Sequence, residues 1–74
     1  MAKRGWRYVA EYGGERFTRT SARIYTHAVV IDDASGAWVW SFCGSETLAV
    51  QQAAKARRTR SACRVEIVPV KREG

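Results

Sequence analysis

Residues 24–42, IYTHAVVIDDASGAWVWSF, contain the clearest structural signal in the chain. Ile24 to Asp32 is rich in β-branched side chains, which favour extended strands. The following Asp33-Ala34-Ser35-Gly36 has the early Asp and late Gly of a reverse turn. Ala37 to Phe42 then alternates, and strict alternation places on one face Trp38, Trp40 and Phe42. The stretch therefore predicts two strands joined by a tight turn.

The residues before this stretch predict a hairpin. Trp6 to Tyr12 alternates as a strand does. Gly13-Gly14 is a two-residue hairpin signal, because both glycines accept positive φ. Glu15 to Arg19 is the returning arm. Thr20-Ser21-Ala22 interrupts it as a bulge or short loop, so we expect the second strand to be long and broken.

The residues after it predict one helix and a last strand. Gly44 ends the preceding strand, and Ser45 is a suitable N-cap for a helix that reaches about Arg60. At 100° per residue one arc of this helix is apolar and small, and it contains Ala49, Val50, Ala53, Ala54 and Ala56. Such a face lets a helix lie close to a sheet. Cys63 to Val68 is the last strand, which we expect to end at Pro69 or to lie at an edge.

Together these elements predict a single small α+β domain over residues 1–74, with an ordered core from about 6 to 70. Its order is β-β-β-α-β, a mostly antiparallel sheet of three to four strands with one helix packed on one face. With this order the last strand runs parallel to the first and third. Residues 1–4 and 71–74 are expected to be solvated tails.

Charge is distributed in three blocks along the chain. Lys and Arg number 13 against seven acidic residues, a net charge of +6, yet none of the 13 lies between residues 25 and 54. If the two basic blocks fold onto one side, the domain has a positive face, which favours polyanions such as nucleic acid. The residues predicted to contact phosphates are Arg16, Arg19, Arg23, Arg57, Arg58 and Arg60.

The aromatic residues allow three interpretations. A small sheet with one helix has one covered face and one bare face, and an exposed aromatic stripe among arginines is typical of a platform for unpaired bases. A chain this short also needs large side chains in its core, so we expect most aromatics to be buried beneath the helix. The third interpretation is a dimer interface. The two stripes are Trp6, Tyr8 and Tyr12, and Trp38, Trp40 and Phe42.

No motif predicts a reaction. His27, Cys43 and Asp32 can be written as a triad, but their spacing does not support one and a small sheet offers no deep pocket. The cysteines, Cys43 and Cys63, match no metal motif, and a helix between them argues against a disulfide, so we expect reduced thiols. We therefore predict a protein that is not an enzyme and needs no metal or cofactor.

The composition also predicts a location and an assembly state. No apolar run approaches the ~20 residues that span a bilayer, and no apolar segment follows the basic start as in a secretory signal. We expect a cytoplasmic protein that makes no membrane contact and is a monomer or weak homodimer.

Three segments carry a family resemblance: Arg19 to Val30, Trp40 to Ser45, and Val65 to Val70. They resemble small uncharacterised proteins of tailed phages of actinobacteria, over residues 16–70. The resemblance implies an accessory phage protein in a bacterial host cytoplasm, and it assigns no residue a role.

Two functions remain open from the sequence. The leading hypothesis is a small basic binding module that contacts nucleic acid through its phosphates. The alternative is a protein-interaction module that binds and modulates a host or phage protein, such as an acidic one, through its sheet face or a strand edge.

Overall fold

A computed structural model describes residues 5–59 and 63–73. These residues form five strands and one helix. The elements in chain order are β1 (Trp6–Tyr12), β2 (Glu15–Ser21), β3 (His27–Asp33), β4 (Gly36–Cys43), α1 (Glu46–Thr59) and β5 (Arg64–Arg72). The strands form one sheet in the order β2-β1-β5-β3-β4, and every neighbouring pair is antiparallel. The sheet curls into a nearly closed, barrel-like shape.

The predicted fold of three to four strands in the order β-β-β-α-β is wrong. Residues 15–33 form two strands instead of one broken strand, because the chain leaves the sheet after Ser21. The Ser21 hydroxyl accepts a hydrogen bond from the backbone N–H of Arg23 (3.1 Å), which is typical of a turn. Four strands therefore precede the helix, and β5 runs antiparallel to β1 and β3 rather than parallel to them.

The hairpin between β1 and β2 is confirmed. Gly13 and Gly14 both have positive φ, 59° and 85°, as a two-residue turn of this kind requires. The end of β5 differs from the prediction. Pro69 is paired with β3, and the strand continues to Arg72 by pairing with β1 from Val70 onwards. Proline is tolerated because it lies where the pairing passes from one neighbour to the other.

The helix packs its alanine face on the sheet, as predicted. Ser45 caps it by accepting a hydrogen bond from the N–H of Leu48 (3.2 Å). The fully buried residues Ala49, Ala53 and Ala56 lie in a core with residues of β3, β4 and β5. The prediction for Val50 is wrong, since its side chain is 53% exposed.

A β-bulge in β4 separates the predicted aromatic stripe. Val30 is opposite Val39 but Val29 is opposite Ser41, so β4 contains one extra residue at Trp40. Trp40 keeps its place against the helix, while Phe42 moves to the opposite face.

The sheet face opposite α1, which we call the helix-free face, buries a second core. Its buried residues come from three strands and are Ala10, Ala28, Val30 and Val68. Half-buried side chains pack around them, including Phe17 and Phe42. The expectation of one bare face is therefore wrong for this part of the sheet. Because the sheet curls, side chains of its own strands pack together on this face and bury one another.

Candidate nucleic-acid interface

One end of the helix-free face combines arginines with aromatic rings. Tyr8 in β1 lies directly between Arg19 of β2 and Arg72 of β5 in the strand register. Antiparallel partners share a face, so the three side chains project to the same side. Tyr8 is buried and the two arginines are exposed.

Each of these arginines lies over an aromatic ring. The Cζ of Arg72 is 5.3 Å from the ring centroid of Trp6, and the Cζ of Arg19 is 5.8 Å from that of Tyr25. Such contacts hold a guanidinium in place without neutralising its charge. We call Trp6, Arg19, Tyr25 and Arg72 the arginine–aromatic surface.

Tyr25 reaches this surface from the connection between β2 and β3. Its ring meets the edge of Tyr8 at 5.1 Å and 71°, and it contacts Phe42 of β4 at 5.6 Å. It thereby bridges two strands that are not neighbours in the sheet. The sequence pattern assigned Tyr25 to a strand, so its place between β1 and β4 was not predicted.

The surface is electropositive. The hydrogen bond with the Ser21 side chain lowers the pKa of Tyr25, and the charges of Arg19 and Arg23 lower this pKa further, against the opposing effect of burial. Arg23 is thus close enough to act on the phenol. Among the described residues, neither Arg19 nor Arg72 forms an ion pair with a carboxylate.

Arg16 differs from its neighbours because its charge is compensated. Its Nη2 lies 2.6 Å from Glu73 Oε2 and its Nε lies 3.5 Å from Glu11 Oε2. Its register partner is Glu11, which places it on the sheet face away from Tyr8. Of the predicted contact residues that the structure describes, Arg16 is therefore the least suited to a phosphate.

The second predicted cluster lies at the other end of the sheet. Arg57 and Arg58 are in the last turn of α1, and Arg57 Nη2 donates to the carbonyl of Val65 at 3.4 Å. From Val65, β5 carries the chain to Arg72, a span of about 23 Å at strand rise. Arg60 lies outside the described residues. The two clusters are therefore not one surface.

Two residues of the surface were missed by sequence reasoning. Arg72 was assigned to a tail and Tyr25 to a strand, whereas Trp6 belongs to one of the two aromatic stripes named as a possible platform. The signal for Arg72 was present in the alternation Val68, Val70, Arg72, which places all three on one face.

Two groups of the conceivable triad, His27 and Cys43, are neighbours in the sheet, but the third, Asp32, lies apart from them. His27 Nδ1 is hydrogen-bonded to the Thr26 hydroxyl (2.7 Å), and His27 faces Cys43 across the ladder. Asp32 lies five residues along β3 and accepts a hydrogen bond from the Tyr12 hydroxyl at 2.9 Å. Cys63 lies just before β5, at the opposite end of the sheet from Cys43. Residues 5–59 and 63–73 contain no group of three or more side chains that could hold a metal ion.

No helix in the described part of the chain is long and apolar enough to cross a membrane. Comparisons of the chain with protein-family models, curated proteins and solved structures found no match.

Proposed function

We propose that this protein is a small, non-enzymatic binding module that contacts nucleic acid through phosphate groups, and that the arginine–aromatic surface makes the contact. The observation that carries the proposal is the placement of Arg19 and Arg72 on either side of Tyr8, exposed and without a carboxylate partner among the described residues.

Phosphate recognition suits this arrangement chemically. A guanidinium offers several N–H donors in a planar fork, which matches the oxygens of a phosphate. Stacking on Trp6 and Tyr25 holds the guanidinium groups near fixed positions, so less side-chain entropy is lost on binding. Arg23 adds a third positive charge near Tyr25.

The proposal is tested by the salt dependence of binding. Fluorescence anisotropy of a labelled oligonucleotide is measured at several salt concentrations, with wild type and with an Arg19→Ala/Arg72→Ala variant. Loss of two phosphate contacts should reduce the log–log salt slope by roughly 1.4–1.8. The fold should survive, because exposed charges contribute little to stability.

The matched control is Arg57→Ala/Arg58→Ala, which removes the same charge at the other end of the sheet. We expect a smaller change in slope for this control. Absence of binding at low salt would refute the proposal. A slope reduced only in the control would move the contact to the end of α1.

A separate observation supports a second candidate function, the binding of a protein partner. A cleft of about 300 Å³ lies between residues 23–25, the end of β4 and the start of α1. Two of its lining side chains are exposed and apolar, Ile24 at 66% and Leu48 at 47%. Exposed apolar groups around a cleft favour a protein partner. A pull-down from host lysate with and without nuclease separates the two functions, since a protein partner survives nuclease treatment.

A further inference from the structure

We infer that the nucleic acid bound by the arginine–aromatic surface is single-stranded, with unpaired bases stacked against Trp6 and Tyr25. This inference rests on the proposed function and adds the class of ligand to it.

Trp6 and Tyr25 belong to neither core cluster, whereas the other two tryptophans pack against the core beneath α1. Trp6 and Tyr25 are half-buried on the helix-free face. Trp38 and Trp40 pack in the core beneath α1, and their indole N–H groups donate to Asp33 (3.2 Å) and Gln52 (3.1 Å). The platform therefore uses Trp6, the tryptophan that is not needed beneath the helix.

The rings are spaced along the sheet. Trp6 and Tyr8 are two residues apart on β1, about 7 Å at strand rise, and Tyr25 lies against Tyr8 at 5.1 Å. Trp6 and Tyr25 thus mark two separate positions, each with its own guanidinium. Two bases of one strand can occupy them if they are splayed apart, as in single-strand recognition on sheets.

The shape of the surface also favours a single strand. In a duplex the faces of the bases are stacked on one another, and reading their edges requires a helix or ribbon that enters a groove. Trp6 and Tyr25 lie on the face of a curled sheet, and α1 is packed on the opposite face. A flat stacking contact needs bases that have left the duplex.

The experiment compares a labelled 12-nucleotide single strand with a hairpin duplex of matched sequence, using anisotropy at one low salt concentration. We expect wild type to bind the single strand at least tenfold more tightly. Trp6→Leu should weaken single-strand binding by roughly fivefold to 150-fold, the value of one stacked base. Its salt slope should not change, because no phosphate contact is removed.

The control is Trp6→Phe, which keeps a ring and should recover most of the affinity. Tyr25→Leu provides a second test outside the strands, for the case in which Trp6→Leu fails to fold. Equal affinity for single strand and duplex, unaffected by either Leu variant, would overturn this inference and leave the phosphate contact intact. Failure to bind either oligonucleotide would instead refute the proposed function.

Discussion

The three tyrosines occupy different chemical environments, although all lie on or above the helix-free face. Tyr8 is buried beneath the ring of Tyr25. Tyr12 donates its hydroxyl to Asp32, and this hydrogen bond is the main reason that the pKa of Tyr12 is raised, with burial adding to it. The pKa of Tyr25 is lowered by Ser21 and by the neighbouring arginines. Tyr12 and Tyr25 therefore have pKa values that are shifted in opposite directions, although both lie on the same side of the sheet.

These opposite shifts predict an order of ionisation. Tyr25 should lose its proton at a lower pH than Tyr12, and the two should lie on either side of the ordinary tyrosine value of about 10. Phenolate absorbance during an alkaline titration measures this, with Tyr12→Phe and Tyr25→Phe to assign the steps. Ionisation of Tyr12 before Tyr25 would contradict the described hydrogen bonds.

The same shifts fix the sign of their contributions to stability. Tyr12, with a raised pKa in the folded protein, contributes stability that is present below pH 10 and is lost as pH rises through its folded pKa. Tyr25, with a lowered pKa, contributes stability that is present above pH 10 and is lost as pH falls through its folded pKa.

At the scale of elements, the helix and the first hairpin could be predicted because their signals are local. A serine cap followed by alanines at helical spacing is sufficient for α1, and Gly13-Gly14 is sufficient for the first turn. The bulge at Trp40 could not be predicted, because only the pairing with β3 defines it. In the sequence of β4, the alternation continues without interruption to Phe42.

The close packing of the alanine face of α1 on the sheet can be tested by substitution. Ala53 is fully buried between the helix and the sheet, so Ala53→Leu should overpack this contact and lower the free energy of unfolding by roughly 1–3 kcal/mol. Denaturant unfolding measures the change. Gln51→Leu adds a leucine to the exposed side of the same helix and should have little effect. Equal stability of both variants would mean that the Ala53 face is not against the sheet.

At the scale of the whole molecule, the course of residues 22–26 decides the topology and was the main failure of prediction. A turn at Ser21 and a tyrosine packed on distant strands send the chain from one edge of the sheet to its other half. Nothing local in Thr20-Ser21-Ala22 distinguishes this path from a bulge within one strand. The direction of β5 was wrong for the same reason.

The candidate site was predicted in part. Arg19 and Arg23 were identified from charge and lie beside Tyr25. Arg72 was not identified, because it joins the surface only through the strand register that places it next to Tyr8. The register brings Arg72 of the second basic block beside Arg19 of the first, while Arg57 and Arg58 of the second block lie at the other end of the sheet. The surface therefore depends on topology more than on composition.

The central claim, that nucleic acid binds at the arginine–aromatic surface, is tested most directly by the three tryptophan indole N–H signals in a ¹H–¹⁵N spectrum. Each tryptophan lies in a different environment, and Trp38 and Trp40 are held beneath α1. On titration with a single-stranded oligonucleotide, the Trp6 signal should shift progressively while those of Trp38 and Trp40 stay in place. Shifts of Trp38 or Trp40 with Trp6 unmoved would place the contact on the helix side and contradict the claim.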